Sequence, residues 1–373
     1  MLKTYWDDLL DPKDPLVSVR QKGWDLFEKI GLPKAKQEAF QYLSKKFKFP
    51  KLAERKEVNG EGSNALYFID GFFEPSLTKP LTDIVCLPLD QAMKSYGLFL
   101  QNRMNRSLKS ETDPFAALNI AFQGRGCFLY VPPNCKAALH LTQTFTGDEM
   151  ANPRLNVYLG RGAELALTQS SIGQSGLCNG MIDFVLDEGA NFSFFDSHNG
   201  HFQSIRGTVK RDGKFKAVLT GKTTRNSIHI DLAEENGEAE IFGLSRLNGE
   251  EESHIHVNME HSAPHTRSRQ HFKSVLLGQS RFSFEGKIYV HPIAQKTEAY
   301  QLNNNLLLSD EAATHAKPNL EIFADDVKAS HGATIGRLDE EQLFYLRSRG
   351  LSLQEATEWL VQGFCGEILD RAK

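Results

Sequence analysis

The chain lacks most of the features that announce an enzyme or a membrane protein. In its 373 residues no apolar run approaches the roughly 20 that a bilayer-spanning helix needs. Cysteine is scarce. Cys86, Cys127, Cys135, Cys178 and Cys365 are odd in number and show no C-x-x-C spacing, so neither a disulfide framework nor a zinc site is expected. The first residues, Met1-Leu2-Lys3-Thr4-Tyr5-Trp6-Asp7-Asp8, lack the basic-then-apolar layout of a secretory signal, and a reducing, cytoplasmic setting is expected. Basic charge is not in excess: the formal net charge of -4 argues against nucleic acid or an anionic membrane as partner. There is no G-x-S-x-G elbow. Thr220-Gly221-Lys222-Thr223 imitates the end of a phosphate loop, but Lys216 stands where a Walker A sequence requires its first glycine. Nucleotide hydrolysis by this chain is therefore not expected.

What remains is an ordinary globular composition, 40% hydrophobic and 24% charged, in a chain long enough to bury a sizeable core. Residues 15–49 read as helical. Val17, Val19, Trp24, Phe27 and Ile30 recur at helical intervals before Gly31-Leu32-Pro33 stops the run, and a second helix is expected from Glu38 to Phe49, with Phe40, Leu43 and Phe47 on one side. The basic stretch Lys45-Lys46-Phe47-Lys48-Phe49 reads as a solvated helix end. From about 120 to 310 the pattern changes to short apolar/polar alternations broken by turn glycines at Gly162, Gly189, Gly213 and Gly237, spaced 27, 24 and 24 residues apart. A period in the low twenties is what one coil of a parallel β-helix requires, since each coil buries its inner face only by stacking on its neighbours. A sandwich or double barrel is the alternative. Past Ala333 helix returns, with Asp339 as N-cap, Gly350 past the end, and a capping box at Ser352-Leu353-Gln354-Glu355. This second helix carries Ala356, Trp359, Leu360, Phe364, Ile368 and Leu369 on one stripe, which either packs on the chain's own body or receives another protein. The division expected is an N-terminal helical domain over 1–60, a β-helix core over 61–335 and a C-terminal helical domain over 336–373.

Histidines concentrate late in the chain. His254-Ile255-His256 followed by Glu260 reproduces the H-x-H-x3-E spacing with which cupins hold a metal on strands, so a cupin-like metal-binding protein or metalloenzyme is one reading. Against it, Gly249 is one residue too close and Pro292 lacks the partner Gly and His of a second half-motif. Otherwise these histidines, with His261, His265, His271 and His291, decorate the outer face of solenoid strands.

A longer ordered series carries a different resemblance. It runs His265-x-x-Ser268-x-Gln270-x-x-Lys273, Phe284-Glu285-Gly286-Lys287-Ile288, Thr297-x-Ala299-x-Gln301-x-Asn303, Leu306-Leu307-Leu308-Ser309 and Pro318-x-Leu320-Glu321-Ile322. It closes with Ala324-Asp325-Asp326-Val327-Lys328-Ala329-Ser330-His331-Gly332-Ala333-Thr334 and Leu343-Phe344-Tyr345-Leu346-Arg347-Ser348-Arg349-Gly350. These pieces, with Trp24-x-x-Phe27 and Gly126 to Pro132 upstream, resemble the SufB/SufD family of iron–sulfur cluster assembly proteins, and the D type more than the B type. The resemblance implies a right-handed parallel β-helix flanked by helical domains and a non-catalytic scaffold role. It also implies pairing with a SufB-like paralogue through the β-helix, a homodimer being possible when the chain is alone, and docking of a SufC-like ABC-type ATPase on the C-terminal helices. The family's interface histidine falls on His331, a candidate ligand for iron or a transient cluster shared across the seam, with Asp325, Asp326, Lys328 and Ser330 around it. Asp325 or Asp326 would orient its ring, unless His331 only caps a tight Ser-His-Gly turn. ATPase docking would use Trp359, Leu360, Phe364 and Ile368. One departure stands out: where the family commonly has Cys two residues before that histidine, this chain has Ala329, so thiolate ligation would have to come from the partner.

Overall fold

The alternating middle of the sequence resolves into a parallel β-solenoid of about seven turns with helices at both ends, 45% strand and 24% helix, in a computed structural model. It describes residues 1–372 apart from 35–36, 44–47, 57–62, 64 and 80–82. Each coil gives one strand to each of two sheets, as in Glu164–Ile172 followed by Leu177–Leu186, then Asn191–Asp196 followed by Gly200–Val209. The pairing is parallel throughout the coils, which excludes the hairpin sandwich. Glu164, Asn191, Lys214, Glu238, Arg267, Glu298 and Lys328 lie side by side on successive coils, separated by 27, 23, 24, 29, 31 and 30 residues. The period in the low twenties thus holds only for the early coils. Later coils are longer because their strands grow from six residues at Lys214–Leu219 to eleven at Thr297–Leu307.

Alternate residues of each strand face inward and stack on their equivalents one coil away. Leu165, Phe192, Phe215 and Ala239 form one such line, each 2% exposed or less. Where a ring leans over the neighbouring strand, a glycine makes room: a Cβ at Gly207 would collide with Phe184, and one at Gly243 with Phe272.

At the N-terminus, α1 (Leu2–Leu9) and α2 (Val17–Ile30) pack through stacked Trp6 and Trp24 against Phe122. Helix α2 ends at Gly31, whose φ of 71° suits glycine, where the sequence placed its stop. The second helix expected from Glu38 does not continue: a single 3-10 turn covers Glu38–Phe40, and residues 41–43 are bends. Tertiary contacts outbid helix propensity there, because Phe40 lies under the Arg225 guanidinium and Tyr42 stacks on His315 at 3.9 Å. Residues 44–47 of that expected helix, Lys45, Lys46 and Phe47 among them, lie outside the described residues, and Lys48 and Phe49 after them have no regular structure. Two helices not anticipated from the sequence follow, α3 (Leu89–Ser110) and α4 (Pro114–Phe122). Every residue of α4 is buried, and Asp113 caps it by accepting the Phe115 N–H at 2.9 Å. The α3–α4 junction is fastened to the sheet by buried ion pairs: Glu111 accepts from Arg206 at 2.7 and 3.0 Å, and Asp113 from Arg225 at 2.8 Å.

One inward histidine makes the fold acid-sensitive. His261 is fully buried, held between the hydroxyls of Thr266 and Ser268 at 2.8 Å each, and burial pushes its pKa down to about 3. An unfolded chain protonates the same ring near the ordinary 6.5. The contribution of His261 is therefore complete above pH 6.5 and is lost progressively as pH falls towards 3. Thermal melts between pH 8 and 4 are expected to steepen below 6.5 in the wild type and to steepen less in His261→Gln; equal slopes would exclude this origin.

Candidate functional site at the open end of the solenoid

The last two strands of the stack, Ala313–Ile322 and Val327–Gly336, each have a strand neighbour on one side only among the described residues. His331 sits in the middle of the second. The segment is thus extended strand, not the tight turn considered from its sequence, and His331 caps nothing there. Its alignment fixes the direction of each side chain. Ala329, His331 and Ala333 lie beside Ala299, Gln301 and Asn303, which face the interior and are 2% exposed or less. His331 therefore belongs to the inner face and is exposed because no coil follows it. Ala329, where a thiolate was expected from the family pattern, is on that same inner face and packs on the core.

The residues around His331 divide by position. Ser330 lies beside Tyr300, on the outer face. Lys328 is also outward and pairs with Glu298 at 3.2 Å. Asp325 and Asp326 are exposed in the turn before the strand. At about 3.3 Å per residue, five residues of strand put Asp326 roughly 16 Å from His331. Neither aspartate orients the imidazole, and that expectation is corrected.

The cupin-like centre does not form. His254 Nδ1 is hydrogen-bonded with the Ser283 hydroxyl at 2.7 Å, whereas His256 lies near Arg225 and Asp113, its pKa lowered to about 3 chiefly by burial. Glu260 is taken by residues of neighbouring coils, His229 at 3.2 Å and His291 at 2.7 Å, which hold its carboxyl down at about 2. No group of three or more His, Cys, Asp or Glu side chains among the described residues is arranged to hold a metal ion. The H-x-H-x3-E spacing misled because four residues of strand separate His256 from Glu260 by roughly 13 Å.

The C-terminal helices, α5 (Glu340–Ser348) and α6 (Leu353–Leu369), carry the caps read from the sequence: Asp339 accepts the Gln342 N–H, and Ser352 and Glu355 close a capping box. The apolar stripe of α6 divides. Ala356 is buried, Val361, Cys365 and Ile368 are buried against Val218, Phe242, Leu244 and Val275 of the solenoid, and Lys273 grips the helix through the Phe364 carbonyl at 2.9 Å and Glu367 at 2.8 Å. Ile368, expected at a docking surface, is covered by the chain's own sheet. Phe364 and Leu360 are half-buried, and Trp359 is 63% exposed. Phe344 and Tyr345 of α5, part of the segment that carries the resemblance but not expected at a docking surface, are 74% and 57% exposed. Only the structure shows this: no residue of α5 is fully buried, and of its apolar side chains Leu343 and Leu346 are half-covered while Phe344 and Tyr345 face outward.

Fold and site together define a parallel β-solenoid that ends in two uncovered strands and carries helices with exposed aromatics beyond them. Residues 141–364 match the family described as SUF system FeS cluster assembly, SufBD core domain. The chain is similar to the iron-sulfur cluster assembly SufBD family protein slr0076 of Synechocystis, 30% identical over 95% of this chain and 87% of that protein. It is also similar to the iron-sulfur cluster assembly protein SufD of Escherichia coli, 32% identical over 62% of this chain and 58% of that protein. With the chloroplastic ABCI7 protein of Arabidopsis thaliana it shares 30% identity over 65% of this chain and 56% of that protein. The chain belongs to the SufB/SufD family of the Suf iron–sulfur cluster assembly system, and within it is SufD-like. No described helix is long and apolar enough to cross a membrane.

Proposed function

We propose that this chain is a non-catalytic scaffold subunit that pairs end to end with a SufB-like paralogue. The observation that carries this reading is the open end. Two ten-residue edge strands with unpaired outer backbone groups form a ready template for another chain. Strand addition by a partner solenoid would pair them and extend the stack. A second copy of this chain could occupy the same end when the paralogue is missing. His331 would then sit at the seam and offer one nitrogen ligand to iron or to a nascent cluster, which is the cargo of the assembly. Because position 329 is alanine, the thiolates come from the partner. Asp325, Asp326, Lys328 and Ser330 border that seam. The assembly is placed in the cytoplasm, and no nucleic acid or membrane takes part.

The helices supply the second contact. A SufC-like ATPase would dock on the exposed aromatics Trp359, Phe344 and Tyr345, with Leu360 and Phe364 at the rim, so that ATP-driven movement reaches the solenoid through α6. Co-expression with SufB-like and SufC-like chains, followed by native mass determination, tests the whole arrangement. A ternary complex is expected, and recovery of this chain only as a monomer would refute it. Truncating Trp359 and Phe344 to Ala together is expected to weaken ATPase association by tenfold or more, since exposed aromatics are typical anchors. The pairing with the SufB-like chain should survive. Unchanged ATPase association would move the docking surface elsewhere.

A further inference from the structure

The interior changes character along one line of side chains that ends at His331. Leu167, Phe194, Ala217, Ile241, Gln270, Gln301 and His331 lie side by side on successive coils. Four apolar residues give way to two amides and then to the imidazole. An amide in a core costs stability unless its hydrogen bonds are made, so a polar run there calls for an explanation. Gln270 and Gln301 are 1% and 2% exposed, and the Gln301 amide donates Nε2–H to Gln270 Oε1 at 3.0 Å. The Gln301 side chain crosses the interior to the opposite sheet, where the chain has Gly286. A Cβ at that glycine would collide with the Gln301 amide. The amide thus sits in a cradle shaped for it, yet its Oε1 is buried and accepts no hydrogen bond among the described residues. The next group on the line is His331, one strand away, at a separation of about 4.8 Å between strands.

We propose that Gln301 is the positioning residue of His331: in the closed assembly its Oε1 accepts the imidazole N–H, and the other ring nitrogen is thereby turned out to the seam. A neutral imidazole has one N–H and one lone pair, on different nitrogens, so anchoring the first aims the second. Metal-binding histidines generally rely on such a partner to fix tautomer and ring orientation. Asp325 and Asp326 are too distant for the task, and Gln301 is the amide left with an unused acceptor beneath the ring. This inference rests on the reading of His331 as a ligand at the seam.

The test uses the complex of full-length chains, loaded anaerobically with ferrous iron and sulfide. Gln301→Met fills the cradle over Gly286 with an unbranched side chain of similar volume but offers no acceptor. Gln301→Glu keeps the acceptor, and Gln270, whose Nε2 has no partner, can turn its amide to donate to it. Wild type is expected to show a histidine nitrogen coupling in pulsed EPR of the reduced cluster, which is lost in His331→Ala. Gln301→Met is expected to retain about tenfold less iron and sulfide with that coupling weakened, and Gln301→Glu to restore both. The double variant Gln301→Met/His331→Ala should be no worse than His331→Ala alone, since the two act through one ligand. If His331→Ala loads like the wild type, the ligand reading itself fails. If His331→Ala is depleted while Gln301→Met, in a complex of normal mass, loads fully with the coupling unchanged, Gln301 has no positioning role. Should Gln301→Met not assemble, Gln301→Glu decides: a depleted Gln301→Glu complex of normal mass overturns the proposal.

Discussion

Replacing Ala333 with Asp is expected to prevent pairing with the SufB-like partner while leaving the isolated chain stable. Ala333 lies on the inner face beside Asn303 and is exposed only because Val327–Gly336 is the last strand. Once a partner coil stacks on it, that position becomes interior. A carboxylate there would have to leave water with no permanent cation among the inward residues of the last coil, Thr314, Ala316, Leu320, His331 or Ile335, to meet it. An uncompensated buried charge costs roughly 3–5 kcal/mol. At about 1.4 kcal/mol per tenfold, that weakens association by at least about a hundredfold. In the free chain the same side chain is solvated, so the melting temperature should move little. Lys328→Ala is the matched comparison, expected to weaken pairing far less, because Lys328 is outward at the border of the seam and its pair with Glu298 is solvent-accessible and worth little. Size-exclusion chromatography with mass detection on co-expressed chains gives the answer. If Ala333→Asp still forms the heterodimer at wild-type strength, the open end is not the interface and the account of His331 falls with it.

The solenoid was legible because its signal is local and repeated. Gly162, Gly189 and Gly213 mark turns at near-constant spacing, and the strands between them alternate apolar and polar residues. The capped helices at Asp339 and Ser352 were legible for the same reason, since a cap is written in four consecutive residues. What the sequence hid is what depends on contacts far along the chain. Helix α4 reads as a short apolar run, and only its burial between α2 and the sheet makes it a helical wedge. The stretch after Glu38 has a helical pattern, but Arg225 and His315, nearly two hundred residues and more away, hold it in another form. The site follows the same rule. His331 came from a family resemblance, whereas its inward direction and its neighbour Gln301 emerge only from coil-to-coil alignment over thirty residues. Glu260 is the converse, a residue whose local spacing suggested a metal and whose real partners, His229 and His291, each lie 31 residues from it on adjoining coils.

The largest loss of stability from one side chain is expected at Glu111. Its carboxylate meets Arg206 through two hydrogen bonds in a site where Arg206 is 7% exposed, and the same guanidinium donates to the Ile205 and Ser227 carbonyls. Burial alone would lower the arginine's pKa, but Glu111 and then Asp113 outweigh it, so the guanidinium stays charged. Glu111→Ala strands most of that charge in the seam beneath the α3–α4 junction. The cost expected is about 3–5 kcal/mol, because removing one member of a buried pair exposes the full desolvation penalty of the other. Removing both should be milder: Arg206→Met/Glu111→Ala is expected to recover much of the loss, since no charge then remains unpaired. The damage should be local before it is global. The junction that Glu111 fastens joins α3 to α4, and α4 carries α1 and α2, so limited proteolysis of Glu111→Ala is expected to cut near residues 110–113 while the solenoid from 127 onward stays protected. Urea unfolding with a probe in each layer checks this. If the single and double variants are equally unstable, Glu111 acts by filling space and not by pairing charge.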